Sequence, residues 1–267
     1  MTIKKTDIHQ GSPERFGHSW QKFNEILPIH EEQFKRWSIG FTETNWKDKE
    51  FLDVGCGIGR NSYWAMSYGA KSALCIDVDE RTLSAAKKNL APYPTADVQF
   101  KSIYELDKPE QFDICFSVGV IHHLENPQLA LKKMFAAAKP GGRVFIWLYG
   151  YENNEWIVNY FNPLRKFLFS RLPLPLVYAL SLPLTAILWL TLRLGLGKTE
   201  YFKLLRQFSF RHIRAIVYDQ MIPKIAHYYK KEQAIKLLEE AGFENVEIHW
   251  VNQMSWTVIG NKANTST

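Results

Sequence analysis

Between residues 51 and 148 short apolar runs alternate with longer stretches whose apolar positions recur at helical spacing, a pattern that predicts a parallel sheet with helices on its faces. The runs place strands near 50–55, 72–77, 97–100, 112–117 and 142–148. Helices fall between them near 59–68, 79–90 and 127–138, the second with Leu83, Ala86 and Leu90 on one face. Pro140, Gly141 and Gly142 are read as the stop of the third helix and the turn into the fifth strand. The alternation breaks after Gly150 and resumes near 231–241 with a helix closed by Gly242. Strands near 245–251 and 254–260 follow, close enough in sequence for a hairpin that adds an antiparallel strand to the sheet.

This organisation gives one domain made of residues 46–150 and 224–262, an N-terminal helical segment over 1–45 and an insertion over 151–223. Lys262–Thr267 is expected to fray. A chain of 267 residues with 46% hydrophobic and 22% charged residues can bury a full core, which excludes wholesale disorder. Cys56, Cys75 and Cys115 lie far apart within apolar runs and read as reduced, buried thiols of a cytosolic protein. The first residues carry no apolar secretory stretch, so a cytoplasmic location is expected, with the inner membrane face as its peripheral variant.

The net charge of +6 is local: Tyr160–Arg214 holds nine basic residues against Glu200, and the remainder is slightly acidic. Within this region, 172–192 runs for 21 residues without a charge, between Arg171 and Arg193, and contains Pro173, Pro175 and Pro183. Contact with an anionic membrane surface through a helix pair is the favoured reading, ahead of a soluble lid or dimer surface. A bilayer crossing is disfavoured because it would part the last helix and strands from their sheet. The interleaved leucine runs argue against nucleic acid as a partner.

The sharpest chemical signal is FLDVGCGIGR, residues 51–60: a strand ending in Asp53, then Gly55, Gly57 and Gly59, then a helix. Glycines at such a turn let backbone approach a ligand where a Cβ would intrude. Asp53 suits an ammonium group and would repel a pyrophosphate, and the spacing is GxGxG, not the dinucleotide GxGxxG. The next strand, ALCIDVDE, ends in Asp77, 22 residues past Gly55, where a carboxylate can accept both ribose hydroxyls of an adenosine ligand. Asp79 reads as the N-cap of the helix that follows.

These residues resemble motifs I and II of the class I S-adenosylmethionine-dependent methyltransferases. FDICFSVGVIHHLENP over 112–127 resembles that family's fourth strand and loop, and KPGGRVFIW over 139–147 its fifth strand. AGFENVEIH extends the likeness toward the C-terminus, and FGHSWQKF is similar to the opening of a bacterial subgroup. The resemblance implies a Rossmann-like, seven-stranded, mostly parallel sheet and S-adenosylmethionine as cofactor. It further implies that Gly55, Gly57 and Gly59 approach the methionine moiety, that Asp53 faces its amino group and that Asp77 holds the ribose. Val78, Ser102, Ile103 and Val118 complete the cofactor set, Ser102 standing where the family usually has an Asp toward adenine.

His123 and His122 follow the fourth strand, where a histidine can serve as general base or buttress the loop. They have no third ligand at metal spacing. Tyr149, Tyr151, Glu152, His227, Tyr228 and Tyr229 either line an acceptor pocket or pack. The expected reaction is methyl transfer to a small or lipid-like acceptor. An inactive cofactor-binding module and a nicotinamide-dependent oxidoreductase are the alternatives, and the oligomeric state stays open.

Overall fold

The computed structural model describes residues 15–17 and 24–264. Most of FGHSWQKF, much of the 1–45 segment and residues 265–267 of the expected fraying tail lie outside the described residues. Seven strands form one sheet in the order β3-β2-β1-β4-β5-β7-β6. They are β1 (Glu50–Val54), β2 (Ser72–Asp77), β3 (Ala96–Phe100), β4 (Phe112–Val118), β5 (Ala138–Tyr149), β6 (Glu244–Val251) and β7 (Ser255–Asn261). All pairings are parallel except those of β7, which slots antiparallel between β5 and β6.

Because side chains alternate across a strand, β1 sends Leu52 and Val54 to one face and Phe51 to the other. The first face is covered by α5 (Pro127–Ala137) and α10 (Lys231–Glu239) through Leu131, Met134 and Leu238. On the second face lie α1 (Ile29–Trp37), α2 (Glu43–Trp46), α3 (Arg60–Ser67) and α4 (Glu80–Asn89). Phe34 and Trp46 pack there on Phe51, Phe116 and Phe145, the last two stacked at 5.1 Å. The residues before β1 are thus part of the sheet's own core. Asp79 caps α4, accepting from Arg81 N and Thr82 N.

Two expectations need correction. β5 begins at Ala138, running through Pro140–Gly142, with its register against β4 shifted between Phe112 and Ile114. An irregular pairing with Gly141 at φ +72° absorbs the turn expected from the sequence. The uncharged 172–192 run is one helix, α7 (Leu174–Arg193), not a pair. Pro173 is its N-cap and Pro175 lies in its first turn, where a missing N–H costs nothing, so only Pro183 interrupts the ladder.

The rest of the insertion is α6 (Asn162–Phe167), α8 (Glu200–Leu205) and α9 (Phe210–Met221). α7 packs on α9 through two small clusters, one around Val177, Tyr218 and Met221, the other around Leu192, Leu205 and Ile213. Arg214 ties the pair together, donating to Tyr178 O at 2.8 Å and to Ser181 Oγ at 3.1 Å. Gly150 bridges Tyr229 at the insertion's base, returning the chain to the sheet.

Candidate active site

A cavity of about 1460 Å³ opens at the carboxyl ends of β1, β2, β4 and β5, with the insertion as its roof. A drug-sized ligand needs less space than this, so the volume suits two ligands side by side. Seven of the nine cofactor residues expected from the sequence line it: Gly55, Gly57, Asp77, Val78, Ser102, Ile103 and Val118. Gly55 has φ +74°, and a Cβ there would meet Val120 Cγ2 at 2.4 Å, so the turn requires glycine.

Asp77 braces that turn from β2. Its Oδ2 accepts from Gly57 N at 2.9 Å and its Oδ1 from Val78 N at 2.7 Å and Asp79 N at 3.2 Å. Burial pushes the carboxyl up and these three N–H donors pull it back. Three of the carboxylate's four lone-pair sites are thus taken, and Oδ2 keeps one for a ligand hydroxyl. Ser102 Oγ accepts from Tyr104 N at 3.3 Å, capping a short turn, which leaves it only a modest ligand contact.

Asp53 and Gly59 do not line the cavity. Asp53 is 1% exposed beneath the turn, where its Oδ2 accepts from Ser62 Oγ at 2.5 Å. Burial, opposed by Ser62 and helped by Asp77, pushes its carboxyl up to about 7. Gly59, at φ +75°, is the N-cap of α3. The structure instead brings Gln33, Asn61 and Arg60 to this end of the cavity. Gln33 Oε1 and Asn61 Oδ1 are buried acceptors without a hydrogen-bond partner, and an orphaned buried oxygen costs about 1–3 kcal/mol. An ammonium group would satisfy them, and the Arg60 guanidinium suits a carboxylate. With the glycine turn and Asp77, these residues fit the amino-acid and ribose parts of S-adenosylmethionine. The sequence hid Gln33 and Asn61, which sit in helices at positions that only the fold aims inward.

His123 lines the cavity while His122 does not. The His123 Nδ1 lies 2.6 Å from Ile225 O, so that nitrogen carries the proton and Nε2 is left as an acceptor. Burial outweighs this bond and holds the imidazole at about 3, which makes it a weak base at neutral pH. His122 is fully buried against Tyr149, ring centroids 3.9 Å apart, and neither of its ring nitrogens has a partner. Burial drives it well below the usual histidine range, and its place is packing under the cavity floor.

Of the aromatic candidates, Tyr149 and Tyr228 line the cavity, whereas Tyr151, Glu152, His227 and Tyr229 do not. Glu152 instead accepts from Lys231 N and Trp256 Nε1 at the insertion's base. The roof adds Trp156, Phe161, Leu184, Ile187, Leu188 and Thr191, an apolar wall opposite the glycine turn. Asp219 and Gln220 reach in from α9, and Phe16 from the N-terminal turn rests on His123 at 5.0 Å. Arg15 fastens that turn to the insertion by donating to Phe169 O and Ile222 O, each at 2.9 Å. None of these carries a motif: each is one polar or aromatic residue in an amphipathic stretch, and only tertiary placement gives it a role.

Residues 52–146 match the model of a methyltransferase domain. The chain is 29% identical over 137 residues to the ubiquinone biosynthesis O-methyltransferase of Pseudomonas fluorescens (strain SBW25), a match covering 47% of this chain and 55% of that protein. The protein of the same name from Neisseria meningitidis serogroup C is 26% identical over 153 residues, or 54% of this chain and 64% of that one. The chain thus spans little more than half the length of the curated relatives it matches. Among solved structures, the 1,6-didemethyltoxoflavin-N1-methyltransferase of Burkholderia thailandensis superposes with a TM-score of 0.61 at 13% identity, over 99% of this chain and 92% of that one. A methyltransferase from Aquifex aeolicus gives 0.55 at 15% identity, over 94% and 99%. At these identities the likeness is one of fold: the Rossmann-like methyltransferase sheet expected from the sequence.

Proposed function

We propose that this protein transfers a methyl group from S-adenosylmethionine to a small acceptor of lipid-like character, a reading supported by the match of residues 52–146 to the model of a methyltransferase domain. The carrying observation is that the glycine turn, Asp77 and the apolar roof line one and the same cavity. Bound against the turn, the cofactor supplies an electrophilic methyl group on a sulfonium. The chain's part is to position the acceptor and exclude water, and orientation of this kind contributes about 7–11 kcal/mol to bimolecular steps. His123, neutral and a weak base, forms part of the wall beside the acceptor and does not remove its proton.

Calorimetry with S-adenosylhomocysteine and with NAD tests the cofactor assignment. Binding of the sulfur compound, and none of NAD, is the expected result; the reverse overturns it. Transfer of labelled methyl into fractions of a cell extract, followed by mass analysis, then identifies the acceptor. Extracts that accept no label despite tight cofactor binding would favour an inactive cofactor-binding module.

We also propose that the roof meets an anionic membrane surface. Leu176, Leu182, Ile187, Leu190, Leu194 and Leu196 are exposed along and just beyond α7, with Ile187 at 65% although it also lines the cavity. Arg171 and Arg193 stand exposed at the ends of this face, and Lys198 beyond it. Among the described residues, α7 is the one helix long and apolar enough to cross a membrane. Its packing on α9 and its place in the cavity wall favour surface contact over crossing.

A further inference from the structure

The methyl-transfer reading leaves unexplained a buried cation. Arg165, on α6, is 3% exposed, and its Nε and Nη1 have no hydrogen-bond partner. The titratable groups that face it are Tyr149, Tyr228, His122 and His123, and none of these is a carboxylate. An unpaired buried charge costs several kcal/mol, so a guanidinium kept here implies an anion that arrives later.

The residues between Arg165 and the cavity are ordered for such an anion. Arg165 lies within hydrogen-bond reach of the Tyr228 hydroxyl. Tyr228 donates its own proton to Gln220 Oε1 at 3.3 Å, and Gln220 Nε2 donates to Tyr149 Oη at 2.9 Å. Each donor therefore points away from the guanidinium and toward the cavity. The last member, Tyr149, accepts from Gln220, and its hydroxyl proton has no acceptor among the described residues. Tyr149, Gln220 and Tyr228 all line the cavity at its inner end, against His123. The charge nearest this end with the opposite effect is Asp219, which is coupled to the Arg60 guanidinium.

We propose that the inner end of the cavity is an oxyanion subsite, in which the Tyr149 hydroxyl donates to an anionic oxygen of the acceptor and Arg165 supplies the counter-charge through Tyr228 and Gln220. The proposal rests on the methyl-transfer reading and specifies its substrate: an acceptor whose reacting end is an acidic hydroxyl or carboxyl group. Such a group arrives, or is held, without its proton. A nucleophile bound as its anion has no proton to lose in the reaction, which agrees with His123, the lining histidine beside this subsite, being a weak base. Tyr149 is then the substrate-touching residue, and Gln220, Tyr228 and Arg165 are positioning residues.

The test uses 4-nitrophenol, a phenol whose anion absorbs visible light, titrated in the presence of saturating S-adenosylhomocysteine. Bound dye should ionise at least about tenfold more readily than free dye in the same buffer, the size of effect a buried cation several ångströms away produces at an effective dielectric of about 20. Tyr149→Phe, which removes one oxygen, and Arg165→Met should abolish the shift, and Gln220→Glu, which replaces the donating amide by an acceptor, should reverse it. Arg165→Lys keeps the charge and should restore part of the shift, which separates electrostatics from loss of fold. S-Adenosylhomocysteine affinity should stay within about twofold in every variant. Dye that titrates as it does in solution, a shift that survives Arg165→Met, or failure to bind dye while S-adenosylhomocysteine still binds would each overturn the subsite. Failure to bind S-adenosylhomocysteine would overturn the methyl-transfer reading itself.

Discussion

Asp77 and Ser102 both line the cavity, yet their bonding differs enough to rank them. Asp77 braces the turn at Gly57 N and keeps a lone pair on Oδ2 for a ribose hydroxyl, and a charged hydrogen bond contributes about 1.5–3 kcal/mol. Ser102 offers one neutral bond and already accepts from Tyr104 N. Asp77→Ala should therefore weaken S-adenosylhomocysteine binding by about ten- to a hundredfold, and Ser102→Ala by less than about tenfold. Equal losses in calorimetry would mean that one of the two contacts is misassigned. Gly55→Ala faces two separate costs, the positive φ and the Val120 side chain 2.4 Å from the new Cβ. The added Val120→Ala should recover part of its melting temperature, and the residual loss should reflect a left-handed alanine at about 1–2 kcal/mol. Full recovery would show that the backbone angle matters little. Gly55, Gly57 and Asp77 were legible in the sequence because a glycine turn after a strand and an acid about 20 residues later make a fixed strand–turn–helix–strand spacing. Gln33, Asn61, Gln220 and Arg165 were not, since their roles depend on helices that the sequence brings together only by folding.

At the scale of elements, β1, β2 and β4 were legible as short continuous apolar runs because both their faces are buried, and α4 because one buried face imposed a helical period. The pattern failed at Ala138–Gly142, where pairing with Phe112 holds residues in the sheet that local turn chemistry alone would place outside it. α7 shows the same limit: its lack of charge was plain, but three prolines suggested a break that only one, Pro183, was placed to cause. Its exposed leucines lead to a membrane prediction. The protein should sediment with anionic vesicles at low salt, release as salt rises and bind neutral vesicles less, because attraction to charged headgroups is screened over about 10 Å at 0.1 M. Leu190→Asp with Leu194→Asp should abolish sedimentation and leave S-adenosylhomocysteine affinity unchanged, since both side chains are exposed and lie outside the cavity. Protein that stays in the supernatant with anionic vesicles at low salt would make the roof a soluble lid or a subunit contact. Resistance to both salt and carbonate would indicate a spanning helix.

The whole molecule carries an acid sensitivity that follows from how many histidines it buries. Burial holds His30 and His123 at about 3 and His212 at about 4, against an ordinary 6.5, and Arg60 adds repulsion at His30 and His212. Since each folded value lies below the unfolded one, the native state binds these protons less readily than the unfolded chain does. Stability is therefore intact above pH 6.5 and falls as pH drops through 6.5 toward 3, by about 2 kcal/mol per histidine at pH 5. Asp53 works in the opposite sense. Its carboxyl is raised to about 7 by burial, so the stability its proton confers is present below the unfolded value of 3.8 and lost as pH rises to 7. Acidification from pH 7 to 5 thus returns about 2 kcal/mol through Asp53 while the three histidines forfeit about 6, and the histidines win. At about 2–4 °C per kcal/mol for a chain of this size, the melting temperature should fall by roughly 10 °C between pH 7 and pH 5. His212→Gln should reduce that fall, because a neutral amide has no proton to gain on unfolding, and Asp53→Asn should enlarge it by removing the opposing group. A melting temperature that is level or higher at pH 5 would mean that the histidines are hydrated in solution, and that the roof, which carries His212 and covers His123, stands open rather than closed on the sheet.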